Sequence, residues 1–240
     1  MRFCSGLVGL LLAVAAAPAV AETTVDVELC LASDGSGSIA PDEFAFQRQG
    51  FATAIASQDV QDAIQSGFHE KIAIAYMEWG GAHSMEPIVD WTLIDSLEAA
   101  KGFGSRLIAA PRKAEGWNSI SEAIAFCQNW IEHNGYNASR MVIDVSGDAG
   151  QRGGRPLALM REAALQAGVT INAIALNFRG GGLSGPFGEP LIDHFRRDVI
   201  GGFGAFAMAV EDSAEFVASL KRKLILEIAA VGGGLDKQPS

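Results

Sequence analysis

The residues of this 240-residue chain best suited to chemistry are oxygen donors in three short segments. The first is Asp34-Gly35-Ser36-Gly37-Ser38, where a carboxylate and two hydroxyls recur at i, i+2 and i+4. The second is Asn118-Ser119, an amide oxygen beside a hydroxyl. The third is Ser146-Gly147-Asp148, which adds a second carboxylate. Asp34, Ser36, Ser38, Asn118 and Asp148 make a set of hard oxygen ligands without His or Cys. That set suits a divalent cation, Mg2+ first and Mn2+ or Ca2+ next, rather than zinc. Asp-Gly-Ser-Gly-Ser is also a good generic turn. The ligand reading therefore depends on whether the fold brings the three segments together.

The elements that must do so follow from the apolar pattern. Residues 25–33 read as a buried strand ending in the first segment, and Pro41 suits the first turn of a helix running to about residue 57. Strands at 71–79 and 87–92 form a hairpin around Gly80-Gly81. A helix at 95–110, with Asp95 or Ser96 as cap, precedes a loop at 111–118 and a helix at 119–133. Strands at 140–146, 169–176 and 205–210 alternate with helices to about 167, at 190–199 and at 213–230. This alternation predicts an α/β fold: a doubly wound, mostly parallel six-stranded sheet with one antiparallel edge strand. Counting directions along the chain puts all three oxygen-bearing loops at one end of the sheet, where open α/β sheets place ligands.

At this point the residues carry a resemblance. Asp-x-Ser-x-Ser after a first buried strand resembles the metal-ion-dependent adhesion site (MIDAS) of von Willebrand factor A (VWA) domains, and the element order is similar over about residues 25–230. The stretches 142–148 and 199–206 resemble a bacterial group of exported, uncharacterised members. The resemblance implies that Asp34, Ser36 and Ser38 match the ligand triplet and that Asp148 matches the fourth-strand aspartate. Asn118 stands where the family has Thr, a departure that changes a hydroxyl for an amide. In the family, hydroxyls touch the ion and carboxylates often act through water. The ion is left under-neutralised and attracts an acidic side chain of a partner. The implied function is a metal-dependent binding module for a protein or other acidic ligand.

Composition sets the compartment. A basic start, an apolar run from Leu7 to Val20 and an Ala19-Val20-Ala21 end describe a signal peptide at 1–21. Residues 22–231 would form one VWA-like domain, with a disordered tail at 232–240. Loss of the signal peptide takes the formal charge from −10 to −11. An acidic exported chain is a poor partner for nucleic acid, and no later segment is long and apolar enough to span a membrane. Cys30 and Cys127 remain. Export permits a disulfide, but two cysteines are too few for a framework, and their apolar surroundings favour two buried thiols.

The remaining signals are weaker. His69, His83, His133 and His194 lack zinc spacing and read as surface or boundary residues. Asp144, inside a strand, reads as a structural acid. Trp79, Trp117, Arg152 and Arg155 fall near the ligand end and are candidates for partner contact. The glycines between 180 and 188 lack the Gly-Lys-Ser/Thr of a phosphate loop. An enzyme, such as a metal-assisted hydrolase, is disfavoured because no placed general base, second metal set or Gly-x-Ser-x-Gly elbow is present. A scaffold with a decayed metal site is the other alternative, suggested by Asn118.

Overall fold

A computed structural model describes residues 22–37, 39–178 and 184–229. Ser38, the segment 1–21 read as a signal peptide and the tail at 232–240 lie outside the described residues.

The chain begins with β1 (Thr23–Val25) and β2 (Glu28–Asp34), followed by α1 (Pro41–Ile55) and α2 (Gln58–Gln65). Next come β3 (Ile72–Trp79), β4 (Met85–Ile94), α3 (Leu97–Ala109), α4 (Ile120–Glu132), β5 (Tyr136–Ala138) and β6 (Met141–Gly147). The last part holds α5 (Leu157–Gln166), β7 (Val169–Leu176), α6 (Leu191–His194), a π-helical turn Phe195–Val199, β8 (Ala207–Val210) and α7 (Phe216–Ile228). Six strands form one sheet in the order β4-β3-β2-β6-β7-β8. All its pairs are parallel except β3 with β4, the hairpin at the edge. The predicted fold class and the antiparallel edge strand are both present.

The layers follow from the period of two along a strand. In β2, Leu29 and Leu31 face one core with Phe51, Phe103, Phe216 and Leu220, under α1, α3 and α7. Cys30 and Ala32 face the other core with Ile120, Ile124, Ile143 and Phe195, under α4, α6 and the π-helical turn. Every residue of β2 and β3 is buried, which is why both read as continuous apolar runs.

Three local features depart from the sequence reading. Helix α2 was not expected; its apolar face, Val60, Ala63 and Ile64, is brief and set among glutamines and aspartates. β1 and β5 pair in parallel as a separate two-stranded sheet, too short to show a strand pattern. Cys30 and Cys127 are joined, not two free thiols: their Cα atoms lie 5.9 Å apart and the bridge ties α4 to the central strand. Sequence could not supply that distance, which is what a disulfide requires. Of the two caps considered for α3, Ser96 serves, its hydroxyl accepting from the Ala99 N–H at 3.2 Å.

Candidate functional site

The C-terminal ends of β2 and β6 lie side by side, with Ser33 opposite Ser146, so the loops after Asp34 and Gly147 leave the same end of the sheet. A methyl group on Gly147 would stand 3.4 Å from Asp34 Oδ2 and 3.2 Å from the Trp79 ring, so glycine lets the two strand ends close in. The loop before α4 arrives at this end too. Gly37 N–H donates to Gly116 O at 3.1 Å, joining the first loop to the second. Arg152 N–H donates to Asn118 O at 2.6 Å, joining the third to the second. Asp34, Ser36, Asn118 and Asp148, the described members of the expected set, are thus carried on three loops that touch.

Asp34 is 1% exposed, and Ser36 and Asn118 are also buried; Asp148 is half-buried. Asp34 Oδ1 accepts the Ser36 N–H at 2.8 Å. Asp34 Oδ2 and Asn118 Oδ1 are buried without a hydrogen-bond donor. An orphaned buried acceptor costs about 1–3 kcal/mol. Burial first, and then the nearby Asp148 carboxylate, push the Asp34 carboxyl up to about 8 against the opposing bond from Ser36. Here two carboxyl groups, an amide oxygen and a hydroxyl are carried on loops that touch, and burial and the Asp148 carboxylate act on Asp34 in the same sense. The chemistry of this oxygen set fits a hard divalent cation.

Several supports had no legible signal. Arg112 donates to the carbonyl oxygens of Gly35 at 3.0 Å, Ser36 at 2.5 Å and Ile39 at 2.9 Å, fixing the first loop from the second. Beneath it, Arg48 makes a buried pair with Glu78 at 2.7 Å, and both guanidinium groups sit against Phe44. Gln151 binds the start of α4: its Oε1 accepts the Ser121 N–H at 2.9 Å and its Nε2 donates to Ser121 Oγ at 2.9 Å. Of the candidate partner contacts, Trp79 is buried, its indole donating to Ala32 O at 3.0 Å. Arg155 is paired with Glu122. Trp117 and Arg152 stay exposed. Asp144 is structural as expected: its carboxylate meets Lys223 Nζ at 2.6 Å, and in the sheet it lies opposite Leu31.

His194 corrects the reading of the histidines. His69, His83 and His133 are exposed, but His194 is 2% exposed. With Glu189 and Asp198 it makes a cluster whose ligand atoms lie within 4.8 Å of one another. Its Nε2 accepts the Gln151 N–H at 3.3 Å and its Nδ1 meets Asp198 Oδ2 at 2.7 Å. Arg197 bridges Glu189 and Asp198. Both ring nitrogens and both acids are therefore engaged, which makes the cluster a strut for the third loop and not a free ligand set.

The sequence matches the family described as "Protein of unknown function (DUF1194)" over residues 24–232. The chain belongs to that family. No curated protein matches the DUF1194 chain. Solved structures similar to it are VWA domains or contain them. Proximal thread matrix protein 1 (PTMP1) of the mussel byssus matches with a TM-score of 0.59 at 13% identity, over 87% of this chain and 49% of its own. A form of PTMP1 with a zinc-occupied MIDAS motif matches at 0.55 and 11%, over 86% and 46%. The von Willebrand factor type A protein from Catenulispora acidiphila matches at 0.60 and 12%, over 84% and 42%. The vWF domain of the type V pilus tip protein Mfa5 from Porphyromonas gingivalis matches at 0.55 and 10%, over 84% and 95%. The DUF1194 chain spans about half the length of the mussel protein. At these identities the likeness shows the fold: DUF1194 here has the VWA architecture.

Proposed function

We propose that the chain is a metal-dependent binding module of VWA type, acting outside the cytoplasm on a protein or other acidic ligand, and not an enzyme. The carrying observation is the pair of orphaned buried oxygens, Asp34 Oδ2 and Asn118 Oδ1, where three loops meet at the ligand end of the sheet. A divalent cation held by Ser36, Ser38 and Asn118, with Asp34 and Asp148 binding directly or through water, would satisfy both oxygens. It would also relieve the repulsion between the carboxylates. When bound, the ion supplies a Lewis-acidic point for a partner's carboxylate. The protein's own contribution is to hold the first loop through Arg112 and the start of α4 through Gln151. Mg2+ is the first choice for an all-oxygen set, with Mn2+ and Ca2+ next; the zinc in the PTMP1 motif shows that such a motif in that protein accepts another divalent ion. The 1–21 segment and the Cys30–Cys127 bridge, a bond of oxidising compartments, support export to the periplasm or beyond.

Calorimetry tests the reading. Saturating Mg2+ at about 100 times Kd should stabilise the fold by about 2.7 kcal/mol, raising the melting temperature. Asp34→Ala should remove that increment. If chelator leaves the melting temperature unchanged and Asp34→Ala equals the parent in metal, the decayed-scaffold reading takes its place.

A further inference from the structure

The residues beside the site differ from one another in an informative way. Asn118 turns in and is buried, while its neighbour Trp117 turns out and is 65% exposed. An indole left in water is uncommon, and Trp is enriched among residues that dominate binding. Arg152, on the third loop, holds its guanidinium carbon 5.8 Å from the Trp117 ring centroid. Its backbone N–H donates to Asn118 O, so the residue that stitches the loops together also carries the cation. The other arginines nearby are occupied: Arg112 by three carbonyls and Arg155 by Glu122. Arg152 enters no ion pair among the described residues. In a chain of net charge −10, an acidic partner meets general repulsion, so an oriented positive group at the site has an effect out of proportion to its size.

We propose that Trp117 and Arg152 form a second recognition point, which selects an acidic protein segment carrying a second carboxylate beside the one that meets the ion. The proposal rests on the metal-dependent reading above. Arg152 pairs with the second carboxylate, and Trp117 backs the guanidinium and covers the adjoining apolar stem of the partner. A planar fork against an aromatic face is a geometry that lysine would not reproduce. Two-point recognition would discriminate against single carboxylates and small anions such as acetate.

The test uses the full mature chain and two fluorescein-labelled probe peptides, hexa-aspartate and a glycine peptide bearing one aspartate, followed by anisotropy with Mg2+ or EDTA. Hexa-aspartate should bind in Mg2+, be released by EDTA and bind more tightly than the single-aspartate peptide. Arg152→Gln and Trp117→Ala should each weaken hexa-aspartate by about three- to tenfold and leave the single-aspartate peptide unchanged. Arg152→Glu should weaken it further. The Mg2+-induced rise in melting temperature should be intact in all three variants, which shows folding and ion binding unharmed. Unchanged hexa-aspartate binding in Arg152→Gln, with the Mg2+ rise intact, overturns the second point alone. Absence of the Mg2+ rise in the parent overturns the underlying metal reading. Binding of hexa-aspartate that EDTA does not release, or no binding by the parent, overturns the proposal.

Discussion

Two pairs of acids lie close together in this fold, one wholly buried and one with a half-buried member, and the chain treats them differently. Deep in the fold, Asp144 on β6 and Glu227 on α7 share a cation that the sequence itself supplies. Lys223, fully buried, meets Asp144 at 2.6 Å and also pairs with Glu227 one helical turn on. Asn172 from β7 adds a donor to Glu227 at 3.0 Å. Burial acts against the Lys223 charge, but Asp144 and Glu227 outweigh it and hold its affinity for the proton above the ordinary value. At the end of the sheet, Asp34 stands beside Asp148, and burial and that carboxylate together raise its affinity for the proton. A buried charge needs a partner or a proton. The first pair has a lysine built in and is structural; at Asp34 burial and the neighbouring carboxylate act in the same sense, and that difference marks the candidate site.

The comparison breaks or sharpens through graded experiments. The largest effect is expected from Lys223→Met, which leaves Asp144 and Glu227 uncompensated: a loss of about 3–5 kcal/mol in urea unfolding. Divalent ion should not restore it. A loss under about 1 kcal/mol would mean that the deep acids are protonated without help from the lysine.

A contrast of sign comes next. In chelator at pH 8, Asp144→Asn should destabilise by about 1–3 kcal/mol, because it removes a buried charge-assisted bond to Lys223. Asp34→Asn should be neutral or stabilising by up to about 1 kcal/mol, since it removes repulsion with Asp148 and keeps an acceptor for the Ser36 N–H. Equal losses from the two substitutions would erase the distinction between the sites.

The pH dependence gives a smaller effect. The Asp34 carboxyl is raised to about 8, by burial and then Asp148, and that of Glu227 to about 7, by burial and then Asp144. A raised acid contributes stability that is complete below its unfolded value and is lost as pH rises through the folded one. In chelator the melting temperature should therefore fall between about pH 4 and pH 8. Asp34→Asn should remove a share of the fall that extends to about pH 8, and Glu227→Gln a share that ends near pH 7. Mg2+ should offset the Asp34 part alone, by favouring its ionised form. A melting temperature flat across this window in chelator would contradict the picture.

The smallest effect is expected at Asn118. Asn118→Thr exchanges an orphaned amide oxygen for a hydroxyl and should change the Mg2+ increment in melting temperature by less than about 1 kcal/mol. An increase would mean that the hydroxyl is the better ligand; abolition would mean that the amide oxygen is required.

Much of this arrangement was legible in the chain. The strand–helix alternation fixed the fold class, because a period of two or of 3.6 in apolar residues is a local property. The direction of each element then follows by counting, which places Asp34, Asn118 and Asp148 at one end without any distance. Tertiary structure alone decided which polar groups meet. The bridge of Cys30 to Cys127, 97 residues apart, the clamp of Arg112 on the first loop and the engagement of both nitrogens of His194 are contacts between distant segments. No local pattern encodes them, since they depend on how closely packed elements bring side chains together. The same holds for the two acid pairs: as sequence, Asp34 and Asp144 are two aspartates in or at the end of buried strands, and only the packing of Lys223, one turn from Glu227 on a helix remote in sequence, makes Asp144 structural.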